Sequence, residues 1–556
     1  MPATPTGVEV PLLLHSRDRG LGPYSTRFPL EQRTMVRALR HQAERYGDKP
    51  WLIYDGTEVL TYADGVRLAN RVANAILSSV GAGQNVGLYL RNQVEFMPAE
   101  NGALMVGVAV PLNAEGRGPL LQSQIERAHC KILIARDDLL GWLDALPSLG
   151  EVSLVVVVGS KNPPRKVAGV PTIRWEKWID EADTIELAEP DYRDLAVIAF
   201  TSGTTGRAKG VMYSHYYHYL FSSTIAESLE HTDEDIFTSP LPQYHRGSAH
   251  LIANGSLHAG ATGCLQQRFS PKRFWPDAAR DNATYGFLLG PLAALVDKET
   301  PASEVPEHRV ESIYCLPPPP NRPDWERKFN TRILRQGWAM TEVFPCIMRQ
   351  EQVEGVPEDS IGWPVNWFDY GVVDPHDRMV GPGEVGELVL RCLIPYAMFS
   401  GYYEDAEATN EAFRNFWFHT GDAASYEADG MLRFRGRLRD RIRRRGELVT
   451  AAEVETIALL HDAVREAACY GVEAELGEED VKLDVILAHP VPVEQFHAWL
   501  SENLPRFMVP RYIEYRDDFP KTPSLRIEKY KLKDLPLNRP EVFDAGSGAR
   551  SSGSGA

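Results

Sequence analysis

Residues 195–215 read LAVIAFTSGTTGRAKGVMYSH, a short aliphatic run followed by a loop of small and hydroxylated residues and then a helical segment. The aliphatic run is typical of a strand that is buried on both faces of a sheet. Glycines let the loop backbone approach a ligand closely, while its hydroxyl groups and Lys209 offer hydrogen bonds and a positive charge. The pattern predicts a loop that holds polyphosphate, but not the GxxxxGK[ST] loop, because no Ser or Thr follows the lysine.

Alternating helix-period and strand-like segments predict an α/β fold in which mostly buried sheets are flanked by helices. After the segment FRGRLRD the pattern changes to a smaller α+β unit. We therefore predict a large N-terminal domain over residues 1–436 and a small C-terminal domain over 437–538. Residues 539–556 are predicted to form a disordered tail, because small polar residues bury too little apolar surface to become ordered.

The composition excludes several classes of protein. With 556 residues the chain is too long for one hydrophobic core, and its formal charge of −17 includes no long basic run. We therefore expect no nucleic-acid partner. The six cysteines form none of the close pairs that zinc or redox motifs use. No apolar segment approaches the ~20 residues of a membrane span and no signal peptide is recognisable, so we expect a cytoplasmic protein without membrane insertion.

The string TSGTTGRAKG resembles the phosphate loop of the AMP-forming adenylating superfamily, which includes acyl-CoA synthetases, adenylation domains of peptide synthetases and beetle luciferases. Three further blocks resemble motifs of this family and occur in the family's order: WAMTE at 338–342, WFHTGD at 417–422 and FRGRLRD at 434–440. The resemblance covers about residues 15 to 535. It implies that the small C-terminal domain is mobile and that ATP and Mg²⁺ are bound.

The resemblance also assigns roles to residues. Trp338 would stack on adenine, Thr341 would contact the α-phosphate, and Glu342 would ligate Mg²⁺ through a carboxylate oxygen. Asp422 and Arg437 would contact the ribose hydroxyl groups. The phosphate loop would bind the nucleotide through Thr201, Ser202, Gly203, Thr204, Thr205, Gly206 and Lys209.

The segment LPQYHRGSAH, residues 241–250, resembles the family segment whose aromatic-histidine pair lines the acid-binding pocket and can gate it. That resemblance assigns Tyr244 and His245 to the substrate pocket, to which we add Gly337. Arg439 falls on the hinge about which the small domain of the family rotates.

The chain departs from the family most strongly at residues 520–532, PKTPSLRIEKYKL. The family has glycine and then a catalytic lysine where this chain has Leu525 and Arg526. Arginine keeps the positive charge, but its planar fork differs from a compact ammonium, so Lys529 is a second candidate for the catalytic cation. A proline-rich run at 316–320 also replaces a glycine-rich loop that lies beside adenine in the family. Because proline fixes φ and removes an amide donor, this run predicts a reshaped floor of the acyl pocket.

Three functions are compatible with these motifs. The first is a ligase that activates a small or aromatic carboxylic acid with ATP and transfers it to CoA. The second is a diazotase that activates nitrite and nitrosates an aromatic amine, since a planar two-oxygen anion suits a guanidinium. The third is a nucleotide-binding relic without turnover. For the two enzymes the candidate catalytic residues are Lys209, His245, Arg526 and Lys529.

Overall fold

A computed structural model provides the structure of the chain. The residues that it describes are 14–15, 21–201, 208–316, 318–319, 321–334, 337–344, 346–347, 356–357, 359–438, 441–444, 447–474, 479–522 and 527–545.

The β-strands follow one another along most of the described chain. In chain order they are Leu14–His15 (β1), Pro50–Tyr54 (β2), Glu58–Thr61 (β3), Asn85–Tyr89 (β4), Val108–Pro111 (β5), Cys130–Arg136 (β6), Leu154–Val158 (β7), Lys166–Val167 (β8), Val170–Arg174 (β9), Leu195–Phe200 (β10), Gly210–Ser214 (β11), Ile236–Ser239 (β12), Thr262–Leu265 (β13), Tyr285–Leu288 (β14), Ser312–Cys315 (β15), Arg332–Leu334 (β16), Gly337–Trp338 (β17), Cys346–Ile347 (β18), Ser360–Gly362 (β19), Phe368–Val373 (β20), Gly386–Cys392 (β21), Phe418–Tyr426 (β22), Leu432–Arg437 (β23), Arg441–Arg444 (β24), Glu447–Thr450 (β25), Val464–Glu473 (β26), Glu479–Leu487 (β27), Tyr512–Tyr515 (β28) and Val542–Asp544 (β29).

The α-helices connect these strands and cover the sheets. They are Met35–Tyr46 (α1), Tyr62–Val80 (α2), Phe96–Val106 (α3), Gly118–Arg127 (α4), Leu140–Asp144 (α5), Trp175–Asp180 (α6), His215–Ser228 (α7), Arg246–Ser248 (α8), Asn254–Ala259 (α9), Phe274–Arg280 (α10), Gly290–Glu299 (α11), Arg322–Phe329 (α12), Ala406–Ala412 (α13), Ala451–Leu459 (α14), Val493–Asn503 (α15) and Lys529–Lys533 (α16).

Three sheets build the large N-terminal domain. The eight-stranded sheet has the order β11-β10-β5-β4-β6-β7-β9-β8 and the seven-stranded sheet the order β16-β15-β14-β12-β13-β2-β3. The third sheet, β1-β20-β21-β22-β23-β19, is antiparallel. One hydrophobic cluster contains side chains from all three, among them Trp51, Val197 and Tyr370. The predicted α/β fold with buried sheets flanked by helices is confirmed.

Helix α7 directly follows β11 and is buried along most of its length. The hydroxyl of Ser214 caps its first turn by accepting the backbone N–H of Tyr217 at 3.0 Å. Three of its tyrosines, Tyr216, Tyr217 and Tyr219, are buried.

The C-terminal residues form a smaller α+β unit with the four-stranded sheet β26-β27-β28-β29. Its apolar cluster contains Ile442, Leu483 and Phe496. Strand β29 pairs with β28, although composition predicts a disordered tail from residue 539. Val542 and Phe543 supply apolar surface to this edge, so the pairing places residues 542–544 in the sheet.

The proposed domain boundary falls at the end of strand β23. Arg437 is the last residue of this strand and pairs within the third sheet of the large domain, whereas the apolar cluster of the small unit includes Ile442. The exact boundary at 436/437 stays a prediction. Within the described residues, none of the helices is long and apolar enough to cross a membrane.

The contact between α2 and α3 gives a test of the packing. A Cβ atom on Gly102 would come within 2.5 Å of Val72 Cγ1. We expect Gly102→Ala to destabilise the large domain by about 1–3 kcal/mol, because a well-packed interior resists an added methyl group. Denaturant unfolding provides the measurement.

Gly141 in α5 is the matched control, because no heavy atom lies within 4 Å of the position that its Cβ would take. We expect Gly141→Ala to be neutral or to stabilise the protein by up to about 1 kcal/mol, as alanine favours helices. Equal destabilisation by both substitutions would contradict the packing.

Candidate active site

The phosphate-loop residues begin where strand β10 ends. The backbone N–H of Thr201 donates to the carbonyl of Lys209 at 3.0 Å, and the N–H of Lys209 approaches Thr201 Oγ1 at 3.3 Å. These two bonds hold the ends of the loop together. The other predicted phosphate-loop residues lie outside the described part of the chain: Ser202, Gly203, Thr204, Thr205 and Gly206.

Asp422 brings two of the other motifs together. Its Oδ2 accepts the indole N–H of Trp338 at 2.7 Å, and its Oδ1 lies 2.8 Å from Arg437 Nε. The register of β22 and β23 explains the second contact, because Asp422 and Arg437 are directly opposite each other. The carboxylate is buried, so these donors fix its orientation. Both predicted ribose-binding residues and the predicted adenine-binding residue therefore meet at one point.

Glu342 lies in a buried position beside Tyr402, whose ring also lies close to Lys209. Its Oε1 accepts the hydroxyl of Tyr402 at 2.9 Å, and Lys209 Nζ lies 4.6 Å from the centre of the Tyr402 ring. Burial raises the pKa of Glu342 and outweighs the Tyr402 hydroxyl, Arg437 and Lys209, which lower it. The pKa of this carboxyl group therefore lies above its usual value. A buried carboxylate with a raised pKa gains from a nearby cation.

These residues fit Mg²⁺ that is brought in by a nucleotide. Among the described residues, no group of three or more His, Cys, Asp or Glu side chains could hold a metal by itself. Mg²⁺ is commonly bound by one or two carboxylates together with substrate phosphates and water. Glu342 can supply such a carboxylate.

The position of Thr341 is fixed through its backbone. Its carbonyl accepts the hydroxyl of Tyr213 at 2.7 Å and that of Tyr217 at 3.4 Å. Strand β11 and helix α7, which follow the phosphate loop, therefore contact the WAMTE block directly. Gly337 lies in β17 at the start of this block and pairs with Ile347.

Tyr244 and His245 lie at the start of a helical segment. Burial raises the pKa of the Tyr244 hydroxyl. The carbonyl of His245 accepts the N–H of Ala249 at 3.1 Å, and its ring lies so close to Gly247 that an added Cβ would come within 3.2 Å of Nδ1.

Sequence patterns missed two buried charges next to this pair. Arg246 forms two hydrogen bonds with the carboxylate of Glu100, at 3.2 and 3.1 Å. Burial favours a neutral Glu100, but Arg246 and His218 hold its pKa at about 2. A glutamate in the middle of the apolar segment FMPAENGALMV was the available signal.

The two candidate cations of the small domain differ in placement. Lys529 starts α16, and its Nζ lies 2.7 Å from Glu455 Oε1. Lys521 and Ile527, which stand on either side of the predicted cation Arg526 in the sequence, form a β-bridge. Leu525, Arg526 and the predicted hinge residue Arg439 lie outside the described residues, so their roles stay predictions.

Comparison with known proteins agrees with this arrangement. Residues 39–403 match the family model described as AMP-binding enzyme, which covers more than half of the chain. The chain belongs to this AMP-binding enzyme family. The model for the AMP-binding enzyme C-terminal domain matches residues 453–526. The predicted membership of the AMP-forming adenylating superfamily is confirmed.

Relatives of this AMP-binding enzyme are similar over most of their length. A crotonobetaine/carnitine–CoA ligase of Salmonella arizonae is 26% identical over 514 residues, which covers 88% of this chain and 96% of the relative. The Citrobacter koseri protein of the same name is 27% identical over 516 residues, with 88% and 97% covered.

Solved structures of CoA ligases share the fold of this AMP-binding enzyme. An anthranilate CoA ligase in complex with anthranoyl-AMP has a TM-score of 0.82 at 22% identity, with 91% of this chain and 98% of that chain covered. A benzoate CoA ligase from Burkholderia xenovorans LB400 has a TM-score of 0.77 at 22% identity, with 90% and 100% covered.

The buried carboxylate of Glu342 yields a prediction with opposite effects on stability and activity. Because burial raises its pKa, the ionised form costs folding free energy once the pH exceeds the pKa of the unfolded chain. Glu342→Gln keeps an acceptor for Tyr402 without the charge. We expect the nucleotide-free variant to melt at an equal or higher temperature than the wild type at pH 7.5, with a smaller difference at pH 4.5.

The same substitution is expected to lower acid-dependent release of pyrophosphate by at least about 100-fold, or ~2.7 kcal/mol in the barrier, if Glu342 holds Mg²⁺. Melting curves at the two pH values and a pyrophosphate assay provide the measurements. A less stable variant with unchanged turnover would contradict this account of the carboxylate.

Proposed function

We propose that this protein is an ATP-dependent, AMP-forming ligase that activates a small or aromatic carboxylic acid and transfers it to CoA. The observation that carries the proposal is the meeting of Trp338, Asp422 and Arg437. Glu342 and Lys209 support it, because both lie against Tyr402. Family membership and the names of the CoA-ligase relatives support it.

In the proposed reaction a carboxylate oxygen attacks the α-phosphorus of ATP. The new bond joins acyl oxygen to phosphorus, and the bond to pyrophosphate breaks. The sulfur of CoA then attacks the acyl carbon, AMP leaves with the bridging oxygen, and the thiol proton is released. Both steps build negative charge, so fixed positive groups aimed at the phosphate would accelerate them.

The chain offers a residue for each part of this task. Asp422 accepts hydrogen bonds from ribose hydroxyls, and Trp338 provides a flat surface for adenine. Lys209 would approach the phosphates, and Glu342 would hold Mg²⁺, whose charge would balance the polyphosphate. The guanidinium of Arg526 would be the positive charge that the small domain contributes to the site.

The pairing of Lys529 favours Arg526 over Lys529 as that cation. Glu455 engages the ammonium of Lys529 at 2.7 Å, and the same carboxylate oxygen accepts the backbone N–H of Cys469 at 2.7 Å. Lys529 thereby joins α16 to α14 and β26, and using it in catalysis would require breaking this contact.

The alternatives receive less support. The relatives described above are CoA ligases and lend no support to nitrite activation. A relic without turnover has no reason to retain Glu342, because burial of this carboxylate raises its pKa and makes its ionised form costly.

The experiment follows AMP and pyrophosphate release with purified protein, ATP and Mg²⁺ against a panel of carboxylic acids, with and without CoA. A parallel panel contains nitrite with aromatic amines. Acid-dependent AMP formation with an acyl-CoA product is the expected result. Nitrite-dependent turnover would replace the proposal by the diazotase, and silence on both panels would favour the relic.

The two candidate cations are separated by a pair of substitutions. We expect Arg526→Ala to slow adenylation at least tenfold, a loss of ~1.4 kcal/mol or more. Lys529→Ala, the control, should change the adenylation rate less than about threefold and lower the melting temperature by breaking its ion pair with Glu455. Pyrophosphate release and thermal melts give both readouts, and the reverse pattern would assign the cation to Lys529.

A further inference from the structure

A turn of π-helix follows the predicted gate residue His245. Helix α8 continues through a π-helical turn at Ala249–Ala253 into α9. Such turns insert one extra residue into a helix, are rare, and often occur at functional sites. His250 lies within this turn and is fully buried.

Both ring nitrogens of His250 lack a hydrogen-bond partner within the described part of the chain. Leaving a buried polar group without a partner costs free energy, so a ligand or water that pairs with it is favoured. Burial lowers the pKa of His250 well below its usual value, and His218 and Arg246 lower it further. The ring is therefore neutral at pH 7 and offers one donor and one acceptor.

Three further polar side chains follow one another in a chain of contacts that begins at this ring. His218 packs edge-on against His250 with ring centres 4.9 Å apart, and its Nε2 lies 3.5 Å from Glu100 Oε1. Glu100 in turn pairs with Arg246. Because these two charges balance each other, the cluster offers hydrogen bonds rather than a free charge. It is thus suited to a neutral polar group, not to a second carboxylate.

Aromatic side chains connect the cluster to the adenylation residues. The rings of Phe344, Phe221 and His250 stack in a column, with centres 4.3 and 4.1 Å apart. Tyr213 lies 6.0 Å from the His250 ring and donates its hydroxyl to the carbonyl of Thr341 at 2.7 Å. One tyrosine side chain therefore spans from His250 to the block assigned to the α-phosphate.

We propose that His218 and His250 form the polar end of the acid-binding pocket and recognise a neutral hydrogen-bonding substituent, hydroxyl or amino, on a flat aromatic acid. The inference rests on the proposed function, which it narrows to a substrate class. The aromatic side chains beside His250 would pack against a flat ring, and the histidine nitrogens would supply the partners for its substituent. An acid with a methyl group in that position would leave these nitrogens unpaired and bind poorly.

The test compares each hydroxybenzoate isomer with its methylbenzoate counterpart, alongside a series of linear aliphatic acids, by pyrophosphate release. For the best isomer, the wild type should show a kcat/KM at least about tenfold above that of the methyl compound, because buried partners discriminate against an analogue that cannot pair. His250→Phe should reduce this ratio to about threefold or less, with the KM for ATP unchanged.

Two further variants make the result specific to the hydrogen bonds. His250→Gln keeps a donor and an acceptor and should retain part of the preference. His231→Phe is the matched control: His231 is also buried and contacts Phe237 and Tyr285, outside the cluster. It should leave the preference unchanged, and melting curves verify that each variant folds.

The outcomes separate the inference from the proposed function. Three results would overturn the inference and leave the ligase proposal standing. These are turnover of acids without a preference for the hydroxyl compound, a preference that survives in His250→Phe, and turnover of aliphatic acids alone. Absence of turnover with every acid would overturn both.

Discussion

The carboxylate of Asp422 connects blocks of sequence that are far apart along the chain. It accepts the indole N–H of Trp338 at 2.7 Å and contacts Arg437 at 2.8 Å. Strand pairing alone sets the second contact, whereas the first joins the third sheet to the WAMTE block. This buried carboxylate holds its two neighbours in place and so brings together three of the nucleotide residues assigned by resemblance. Pairing also removes the cost of leaving its charge alone in the interior.

Similar pairing governs the other buried charges and thereby indicates which groups remain available for chemistry. The buried Glu100 is neutralised by Arg246, and the half-buried Lys529 pairs with Glu455. Glu342 differs, because its described partner is the neutral hydroxyl of Tyr402 and burial raises its pKa. That imbalance is what a metal ion would correct. The proposed substrate subsite at His250 follows from the same consideration applied to neutral polar atoms.

Much of the fold could be predicted from sequence, because buried strands such as LAVIAF and the order of the motifs carry strong local signals. The meeting of Asp422 and Arg437 also follows from their assignment to one ligand. By contrast, the Trp338 hydrogen bond and the π-helical turn at His250 depend on tertiary packing, which no local pattern encodes. Strand β29 was missed because three residues bordered by polar sequence resemble a tail until β28 supplies a partner.

Binding of ATP to Asp422→Asn, measured by titration calorimetry in the presence of Mg²⁺, tests most directly whether the nucleotide site is centred on this carboxylate. The amide has nearly the same shape but accepts weaker hydrogen bonds and cannot form an ion pair with Arg437. The account predicts at least a tenfold loss of affinity, or ~1.4 kcal/mol, in a variant that remains folded. An affinity equal to that of the wild type would contradict it.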